Sequence, residues 1–437
     1  MNMIKENMNK KILQYYIITI GCQMNKSDSE RLEEYLDNHG HRKASKRILA
    51  DFVILNTCGI RQKAEDRAYG LIHQIKKDNK NVKVVITGCL SIRRDVVRRM
   101  KGKVDFFIPI NKMSNLNSLL IGDKKKERIK DYLKFRAKYK SKISAFVPIG
   151  NGCDNFCSYC VVPYARGREV YRSVNDILVE VKALVKNGCK EIILIAQNVN
   201  SYKAESGKLK VEKVDFAKLL RLVNDIEGEF LIRFSSSHPK DMSDDLIMAI
   251  AECEKVCEHV HLAVQAGDDE ILKRMNRKYT CADYLNLVKK IKKHIKGHSI
   301  TTDIIVGFPG ETEEQFNNTK KLFKEVDFDM AYISQYSPRP GTVAEKLKDD
   351  VGRDEKKKRE ESLMKILKKN ASKISKKFLN KRVKVLIEGK NKKGEYYGKT
   401  RSFKMVKCFG DENMIGKIVE VKIDKVEEFI IRGKIVK

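Results

Sequence analysis

The chain has 437 residues, enough for about three domains of ~150 residues each. Hydrophobic residues make up 42% and charged residues 34%, and no stretch approaches the ~18 apolar residues of a membrane span, which excludes a membrane-spanning and a disordered protein. The 90 Lys and Arg against 58 Asp and Glu give a net charge of +32, which favours a polyanionic partner such as nucleic acid. A general lysine bias gives the same charge without a partner.

The eleven cysteines are an odd number, and several of them stand beside glycine. This pattern favours metal or cluster ligation in a reducing compartment over disulfides. The first residues have the outline of a lipoprotein signal, since lysines are followed by an apolar run and then by Cys22. Gln14 and two tyrosines interrupt that run, however, and no linker follows it. We therefore expect a cytoplasmic monomer without a membrane partner.

The sequence predicts a multidomain α/β protein whose first domain spans residues 11–125. Short β-branched runs alternate there with helical stretches, which predicts a doubly wound parallel sheet. The predicted strands cover 12–20, 51–56 and 83–87, and the predicted helices cover 27–38 and 63–77.

Each of these three strands runs directly into a cysteine, namely Cys22, Cys58 and Cys89. The carboxyl ends of neighbouring parallel strands lie at one edge of a sheet, where such folds bind their ligands. Small buried residues at strand ends are the simpler alternative. We expect the three thiols to meet at that edge.

A basic linker, residues 126–138, follows and is either a solvated helix or a nucleic-acid contact. Residues 139–370 again alternate strand and helix, in six units and not eight. This predicts an open, incomplete (β/α)6 barrel ending in one long Lys/Glu-rich helix. The predicted barrel strands cover 145–149, 191–196, 230–234, 260–264, 300–306 and 331–335.

The tail, residues 372–437, contains short strands with glycine-bearing turns and predicts a small all-β, OB-like barrel. Tyr397, Lys399, Arg401 and Phe403 alternate aromatic rings with cations. That composition suits stacking on unpaired RNA bases beside a phosphate track. Core aromatics under a lysine-rich exterior are the alternative.

The strongest local motif is C-x-x-x-C-x-x-C at Cys153, Cys157 and Cys160, after the first barrel strand. Three thiolates on one loop suit three irons of a 4Fe–4S cluster and leave the fourth iron open to a ligand. Zinc normally takes four closed ligands, or three of which one is usually histidine.

With Tyr159 before its last cysteine, this motif resembles that of the radical S-adenosylmethionine superfamily. The whole chain resembles the methylthiotransferases of that superfamily, most closely the MiaB-type branch that modifies tRNA, and its tail is similar to the RNA-binding TRAM domain. The motifs that carry the resemblance are TIGCQMN, NTCGIRQKAE, TGC, VVPYARGRE, AQNVNSY, RFSSSHP, HLAVQAGDDEILKRMNRKYT, TDIIVGFPGET and YSPRPGT.

The resemblance implies two 4Fe–4S clusters, a radical cluster on the central motif and an auxiliary cluster on Cys22, Cys58 and Cys89. It implies S-adenosylmethionine as both radical source and methyl donor. The implied reaction converts N6-isopentenyladenosine next to the tRNA anticodon to its 2-methylthio derivative. The implied partners are tRNA, an electron donor such as flavodoxin or ferredoxin, and iron–sulfur assembly proteins.

Further candidates lie near the predicted barrel mouth. Cofactor contacts are expected at strand ends and on the cluster loop, and two arginines after that loop are candidate RNA contacts. We expect His238 and His261 to serve the fold, and Cys189, Cys253, Cys257, Cys281 and Cys408 to pack. The candidate cofactor ligands are Tyr159, Gln197, Asn198, Ser236 and Gln265; the arginines are Arg166 and Arg168.

Ala196, Ala263 and Ala266 depart from the family pattern. Two related reactions therefore stay open, on threonylcarbamoyladenosine in tRNA or on an aspartate of a ribosomal protein. A non-catalytic iron–sulfur RNA-binding protein is a hypothesis from another class. If the N-terminal cysteines hold zinc instead, the chain carries about four irons and not about eight.

Overall fold

The computed structural model describes residues 12–59, 62–121, 132–206, 212–410 and 413–436. They form a parallel sheet, an open barrel and a small closed barrel in chain order. The predicted basic linker lies partly outside these residues. In the described part of the chain, no helix is long and apolar enough to cross a bilayer.

The first unit is a five-stranded parallel sheet of order β2-β1-β3-β4-β5. Its strands are β1 (Gln14–Thr19), β2 (Arg42–Lys43), β3 (Phe52–Thr57), β4 (Lys83–Gly88) and β5 (Phe106–Phe107). Its helices are α1 (Gln23–Asn38), α2 (Gln62–Asp78), α3 (Arg94–Arg99) and α4 (Leu116–Ile121).

Helices cover both faces of this sheet. All six residues of β3 are buried, as expected for a central strand with a helix layer on each side. Leu36 of α1 and Leu116 of α4 pack on one face, while Ile72 of α2 and Val96 of α3 pack on the other. The prediction of a doubly wound parallel sheet is confirmed.

The order of the strands reverses between β1 and β3, because the chain first moves outward from β1 to β2 and then returns past it. The crevice outside the carboxyl ends at such a switch point is where open α/β sheets bind ligands. Cys22 follows β1 and Cys58 follows β3, so the two cysteines flank this crevice.

The second unit contains six parallel strands in two groups of three, β6-β9-β12 and β13-β14-β15. A bridge between Ser237 and Leu262 joins the groups, and among the described strands β6 and β15 do not pair. The prediction of an open six-unit barrel is confirmed. The strands are β6 (Ser144–Pro148), β9 (Glu191–Ile195), β12 (Leu231–Phe234), β13 (His259–His261), β14 (Ser299–Val306) and β15 (Met330–Gln335).

Two antiparallel strand pairs and eight helices complete this unit. The pairs are β7 (Gly150–Asn151) with β8 (Val170–Tyr171), and β10 (Lys203–Ser206) with β11 (Glu212–Asp215). The helices are α5 (Val162–Arg166), α6 (Val174–Lys186), α7 (Phe216–Asn224), α8 (Asp244–Glu252), α9 (Asp269–Arg274), α10 (Cys281–His294), α11 (Glu313–Val326) and α12 (Arg353–Lys376).

Helix α1 of the first unit packs against strand β6 of the barrel. Met24, two residues after Cys22, lies among Phe146, Ile193 and Ile195, which are on β6 and β9. The alternate residues Ile192 and Leu194 belong to the core beneath the helices, so Ile193 and Ile195 face the barrel interior. The first unit therefore covers the barrel with the helix that begins at its first cysteine.

The third unit is a closed barrel of order β16-β17-β18-β20-β19, as predicted for the tail. Alternate residues such as Val385, Tyr396, Val406 and Ile431 fill its core. The strands are β16 (Arg382–Lys390), β17 (Tyr396–Thr400), β18 (Met405–Phe409), β19 (Ile418–Val426) and β20 (Ile430–Ile435).

Candidate functional site

The loop between β7 and α5 carries Cys153, Cys157 and Cys160. Its start is clamped, because a Cβ atom on Gly152, where φ is +86°, would lie 2.1 Å from the carbonyl oxygen of Arg168. Only glycine fits there. The loop is also held by Gln197, whose Oε1 accepts a 2.6 Å hydrogen bond from the Gly152 amide. The structure thus places the predicted ligand Gln197 as a support of the loop.

Burial opposes ionisation of two of these three thiols, Cys153 and Cys160. Burial raises the pKa of Cys153 to about 11 and raises that of Cys160 as well. Cluster binding requires deprotonated thiols, so loading releases protons.

Arg277 supplies a buried positive charge beside this loop. Its Nη1 lies 3.5 Å from the Sγ of Cys157, and its Nη2 donates to the carbonyl of Ala263 at 2.6 Å. The Nε donates to the hydroxyl of Tyr279 at 2.8 Å, which fixes the guanidinium plane. Sequence reasoning missed Arg277, although it lies within the long motif that begins at His261.

The loops after β1, β3 and β4 pack side by side. An ideal Cβ on Gly21 would lie 2.9 Å from the Cβ of Cys58, and one on Gly59 would lie 3.3 Å from the Cβ of Cys89. Cys22 forms the N-cap of α1 and is exposed in the crevice, yet the surrounding protein raises the pKa of its thiol. The loops that carry Cys22, Cys58 and Cys89 therefore lie side by side at the sheet edge, and a shared ligand role for the three thiols stays a prediction.

The two cysteine sets are linked by an ion pair across the boundary between the units. Arg166, on the helix that follows the loop of Cys153, Cys157 and Cys160, places its Nη2 2.6 Å from Asp28 on α1, the helix that begins after Cys22. None of the eleven cysteines, all in described residues, forms a disulfide.

The donor sets fit iron–sulfur clusters. Each consists of three thiols, the ligand type that such clusters take, and a cluster spreads its thiolates over different irons. A closed zinc site normally takes four ligands, one more than each of these sets supplies.

The barrel mouth contains strained backbone and unsatisfied oxygens. Ser236 and Gln265 have φ angles of 70° and 72°, a region that non-glycine residues adopt at a cost and that clusters at functional sites. Buried Asn198 donates through Nδ2 to Asp241 at 2.7 Å, but its Oδ1 and the hydroxyl of Ser237 have no hydrogen-bond partner. A bound ligand is the expected partner of such atoms. Sequence reasoning found Asn198 but missed its neighbour Ser237.

Tyr159 is half-buried beside the cluster loop, and burial raises the pKa of its hydroxyl well above the usual value. Burial lowers the pKa of His238 to about 2, and its amide donates to Asn200 at 2.8 Å. His261 lies 2.9 Å from the hydroxyl of Thr301. Both histidines are held by the fold. The other cysteines are buried or partly buried, namely Cys189, Cys253, Cys257, Cys281 and Cys408.

The prediction that Arg166 contacts RNA is wrong. Its Nη2 lies 2.6 Å from Asp28 of α1, and both side chains are buried, so the guanidinium cannot reach a phosphate. Arg168 is 75% exposed and pairs with Asp154, and its RNA role stays a prediction.

Two of the four predicted RNA contacts in the tail have partners within the protein, and their RNA roles stay predictions. Arg401 donates to Glu258 and to the carbonyl of Val256, and the ring of Phe403 stacks on His259 at a centroid distance of 4.3 Å. These residues dock the small barrel onto the open barrel. Lys399 pairs with Glu388 at 2.9 Å and Tyr397 is partly buried, so their RNA roles stay predictions.

Comparison with known proteins first defines the class. Residues 147–323 match the radical SAM superfamily, residues 14–109 match the uncharacterized protein family UPF0004, and residues 376–436 match the TRAM domain. The fold is similar to that of the radical S-adenosylmethionine methyltransferase TsrM from Kitasatospora setae, with a TM-score of 0.54, 14% identity and 76% of each chain covered. It is also similar to the cobalamin-dependent S-adenosylmethionine radical enzyme OxsB, with a TM-score of 0.53, 11% identity, and 80% and 56% covered.

Full-length relatives define the family more narrowly. The chain is 44% identical to the tRNA-2-methylthio-N(6)-dimethylallyladenosine synthase of Clostridium tetani over 99% of its own length and 98% of that protein. Identity is 42% to the enzyme of that name from Clostridium novyi, with both chains fully covered, and 40% to the one from Finegoldia magna, with 98% and 96% covered. The chain belongs to the family of tRNA-2-methylthio-N(6)-dimethylallyladenosine synthases.

Proposed function

We propose that this protein converts N6-dimethylallyladenosine (isopentenyladenosine) next to the anticodon of tRNA to its 2-methylthio derivative. The roles proposed for the cysteines are a radical cluster on Cys153, Cys157 and Cys160 and an auxiliary cluster on Cys22, Cys58 and Cys89. The buried ion pair of Arg166 with Asp28, which joins the helix after the loop of Cys153, Cys157 and Cys160 to the helix after Cys22, carries this proposal. One nucleoside bound between the sets is then close to both.

When bound, the two clusters and S-adenosylmethionine would supply radical and sulfur chemistry that no protein side chain provides. The chain itself positions the reactants and excludes water, which keeps a reactive species from side reactions. Met24 with Ile193 and Ile195 forms an apolar contact where α1 meets the barrel interior. Buried oxygens of Asn198 and Ser237 are available to orient a polar ligand in the mouth.

Arg277 has two roles in this proposal. Its Nη1 lies 3.5 Å from the Sγ of Cys157, so its positive charge would offset part of the negative charge of a cluster held by that thiol. Its bonds to Ala263 and Tyr279 hold the guanidinium in place, so that it does not reorganise when a ligand binds.

The partners follow from the chemistry. Cleavage of S-adenosylmethionine needs one electron, for which we propose a flavodoxin or ferredoxin as donor, and iron–sulfur assembly proteins load the two sites. The net charge of +32 suits tRNA as the macromolecular substrate. We propose that the protein acts as a monomer in the cytoplasm.

The test compares tRNA from cells that lack this gene with tRNA from the same cells after the gene is restored. Mass spectrometry of digested tRNA should find 2-methylthio-N6-dimethylallyladenosine only in the restored cells. The matched control restores the gene with Cys153→Ala, which removes one ligand of the proposed radical cluster. This variant should leave dimethylallyladenosine unmodified. Methylthiolated threonylcarbamoyladenosine, or no change in any tRNA nucleoside, would overturn the assignment and point to one of the two related reactions.

A further inference from the structure

Asp303 lies on the inner wall of the open barrel. Ile300 and Ile304, on the same strand β14, belong to the core beneath the helices, so the alternate side chains of Thr301 and Asp303 face the barrel interior. The side chain of Asp303 is 41% exposed there, although β14 is paired on both sides. The wall therefore presents a carboxylate that a ligand inside the barrel can reach.

Hydrogen bonds hold this carboxylate in one orientation. Nε2 of His261, on β13, lies 3.2 Å from Oδ2 of Asp303, and because an ionised carboxylate only accepts, the histidine donates. Nδ1 of the same ring lies 2.9 Å from the hydroxyl of Thr301, and that hydroxyl lies 2.9 Å from Nε2 of His259. The wall itself thus occupies one oxygen of Asp303.

The second oxygen, Oδ1 of Asp303, is left for a ligand. Among the described residues, no group donates a hydrogen bond to Oδ1, and no Lys or Arg lies within ion-pair distance of the carboxylate. Glu191, which also faces the barrel interior, is by contrast bonded to Arg233 at 2.7 Å. A charged acceptor makes stronger hydrogen bonds than a neutral one, so Asp303 favours a ligand that brings a donor.

The surrounding wall belongs to the candidate site. The amide of Gln265, whose backbone is strained, donates to the carbonyl of Asp303 at 2.9 Å. On the same segment as Gln265, the carbonyl of Ala263 accepts from Arg277, whose Nη1 lies 3.5 Å from the Sγ of Cys157. Asp303 is therefore connected through one stretch of wall to the loop of Cys153, Cys157 and Cys160.

An acceptor selects its ligand by what the ligand can donate. In N6-dimethylallyladenine the ring nitrogens N1, N3 and N7 accept, and the N6–H is the only polar hydrogen of the base. The 2′-hydroxyl is the other donor of a nucleoside within an RNA chain. The N6–H is fixed relative to the ring, so a bond to it sets the direction in which C2 points, whereas a 2′-hydroxyl rotates and sets no such direction.

We propose that Asp303 accepts a hydrogen bond from the N6–H of the dimethylallylated adenine and so orients C2 towards the two cysteine sets. This inference rests on the proposed action on tRNA. Sequence reasoning missed Asp303, although it lies within the motif TDIIVGFPGET. Correct orientation of a bound reactant contributes to the rate, so loss of this bond should affect turnover as well as binding.

The test measures methylthiolation of a synthetic anticodon stem-loop RNA that carries N6-dimethylallyladenosine, using the full-length, cluster-loaded protein. In Asp303→Asn, the side-chain oxygen stays with His261 and the amide NH2 meets the N6–H, donor against donor. The value of kcat/KM should fall by about 10- to 100-fold, as expected for loss of a hydrogen bond to a charged group.

Two further RNAs identify the donor. One carries N6-methyl-N6-dimethylallyladenosine, which has no N6–H, and the other carries 2′-deoxy-N6-dimethylallyladenosine. The wild-type protein should modify the N6-methyl RNA slowly, and Asp303→Asn should cause little further loss on it. On the 2′-deoxy RNA the substitution should retain its full effect.

The matched control is Asp244→Asn, which removes the same charge from a side chain that is 71% exposed on α8 and pairs with Lys290. We expect wild-type kcat/KM for this control on all three RNAs. Asp303→Asn should keep the iron content, the unfolding temperature and the affinity for S-adenosylmethionine of the wild type, which separates substrate orientation from folding and cofactor binding.

Wild-type kcat/KM in Asp303→Asn, or equal losses on the RNAs with and without the N6–H, would overturn the proposal. An effect confined to RNAs with the 2′-hydroxyl would also overturn it and assign the carboxylate to the ribose. Weakened binding of S-adenosylmethionine in Asp303→Asn would assign it to the cofactor instead. If the wild-type protein methylthiolates none of these RNAs, the proposed function fails together with the inference.

Discussion

Arg166 and Asp28 form an ion pair across the boundary between the first unit and the barrel, with Nη2 2.6 Å from Oδ2 and the two side chains 2% and 0% exposed. Arg166 is the last residue of α5, the helix that follows the loop of Cys153, Cys157 and Cys160. Asp28 lies on α1, the helix that begins directly after Cys22. Asn151 accepts a second bond from Arg166 at 3.0 Å. This pair therefore fixes the position of one cysteine set relative to the other.

Replacing Arg166 with Gln should destabilise the protein strongly, because it leaves the Asp28 carboxylate buried without a counter-charge. Loss of one partner of a buried pair costs about 3–5 kcal/mol. Chemical denaturation of the purified chain measures this loss. The control is Arg168→Gln, which breaks an exposed pair with Asp154 and should cost about 0–1 kcal/mol. Equal losses in the two variants would contradict the role of the interdomain pair.

Substituting Gly152 with Ala should prevent loading of the radical cluster. The new Cβ would approach the Arg168 carbonyl to 2.1 Å, so the loop must move and its thiols with it. Iron content should fall from about eight to about four per chain. Gly188→Ala is the matched control, since Gly188, after α6, has a φ of +87° but nothing within 4 Å of the added atom, and it should retain both clusters.

Ser237→Ala should separate binding from stability. The Ser237 hydroxyl is buried without a hydrogen-bond partner, so its removal should leave the unfolding free energy unchanged or slightly higher. Affinity for S-adenosylmethionine or the tRNA, measured by calorimetry, should fall. Ser375→Ala removes a hydroxyl that donates to the Glu428 carbonyl at 2.9 Å and should instead lose about 1 kcal/mol of stability. Wild-type affinity for both ligands in Ser237→Ala would count against a binding role.

The contact between the two barrels should weaken in acid. Burial, then the charges of Arg233 and Lys399, lower the pKa of His259 well below 6.5, so the unfolded chain binds more protons than the folded one below that pH. The contribution of His259 to the free energy of unfolding is fully present above pH 6.5. Below that pH it falls by up to about 1.4 kcal/mol per pH unit. Hydrogen exchange of β17 at pH 7.5 and 5.5 measures the loss.

The variant His259→Phe keeps an aromatic ring against Phe403 but does not titrate. Its β17 protection should depend less on pH than that of the wild-type protein. If both proteins lose protection equally between pH 7.5 and 5.5, another group is responsible for the acid sensitivity.

Local patterns predicted the fold well because they are repeated along the chain. Alternating strands and helices fix a parallel sheet, and strand ends fix one edge, so Cys22, Cys58 and Cys89 could be grouped from sequence alone. The C-x-x-x-C-x-x-C spacing likewise grouped three cysteines from sequence alone, because all three lie on one short loop.

Contacts between domains could not be predicted in this way. Arg166 and Arg401 have the same charge and sequence context as exposed arginines, and only the packing of one unit on another shows that they are bonded to Asp28 and Glu258.

The most direct test of the two-site account uses purified, reconstituted Cys58→Ala with reductant, S-adenosylmethionine and dimethylallylated tRNA. The account predicts that this variant still forms 5′-deoxyadenosine but makes no methylthio nucleoside, and that it holds about four irons per chain where the wild type holds about eight. Cys153→Ala should form no 5′-deoxyadenosine. Equal loss of S-adenosylmethionine cleavage in the two variants would contradict separate roles for the two cysteine sets.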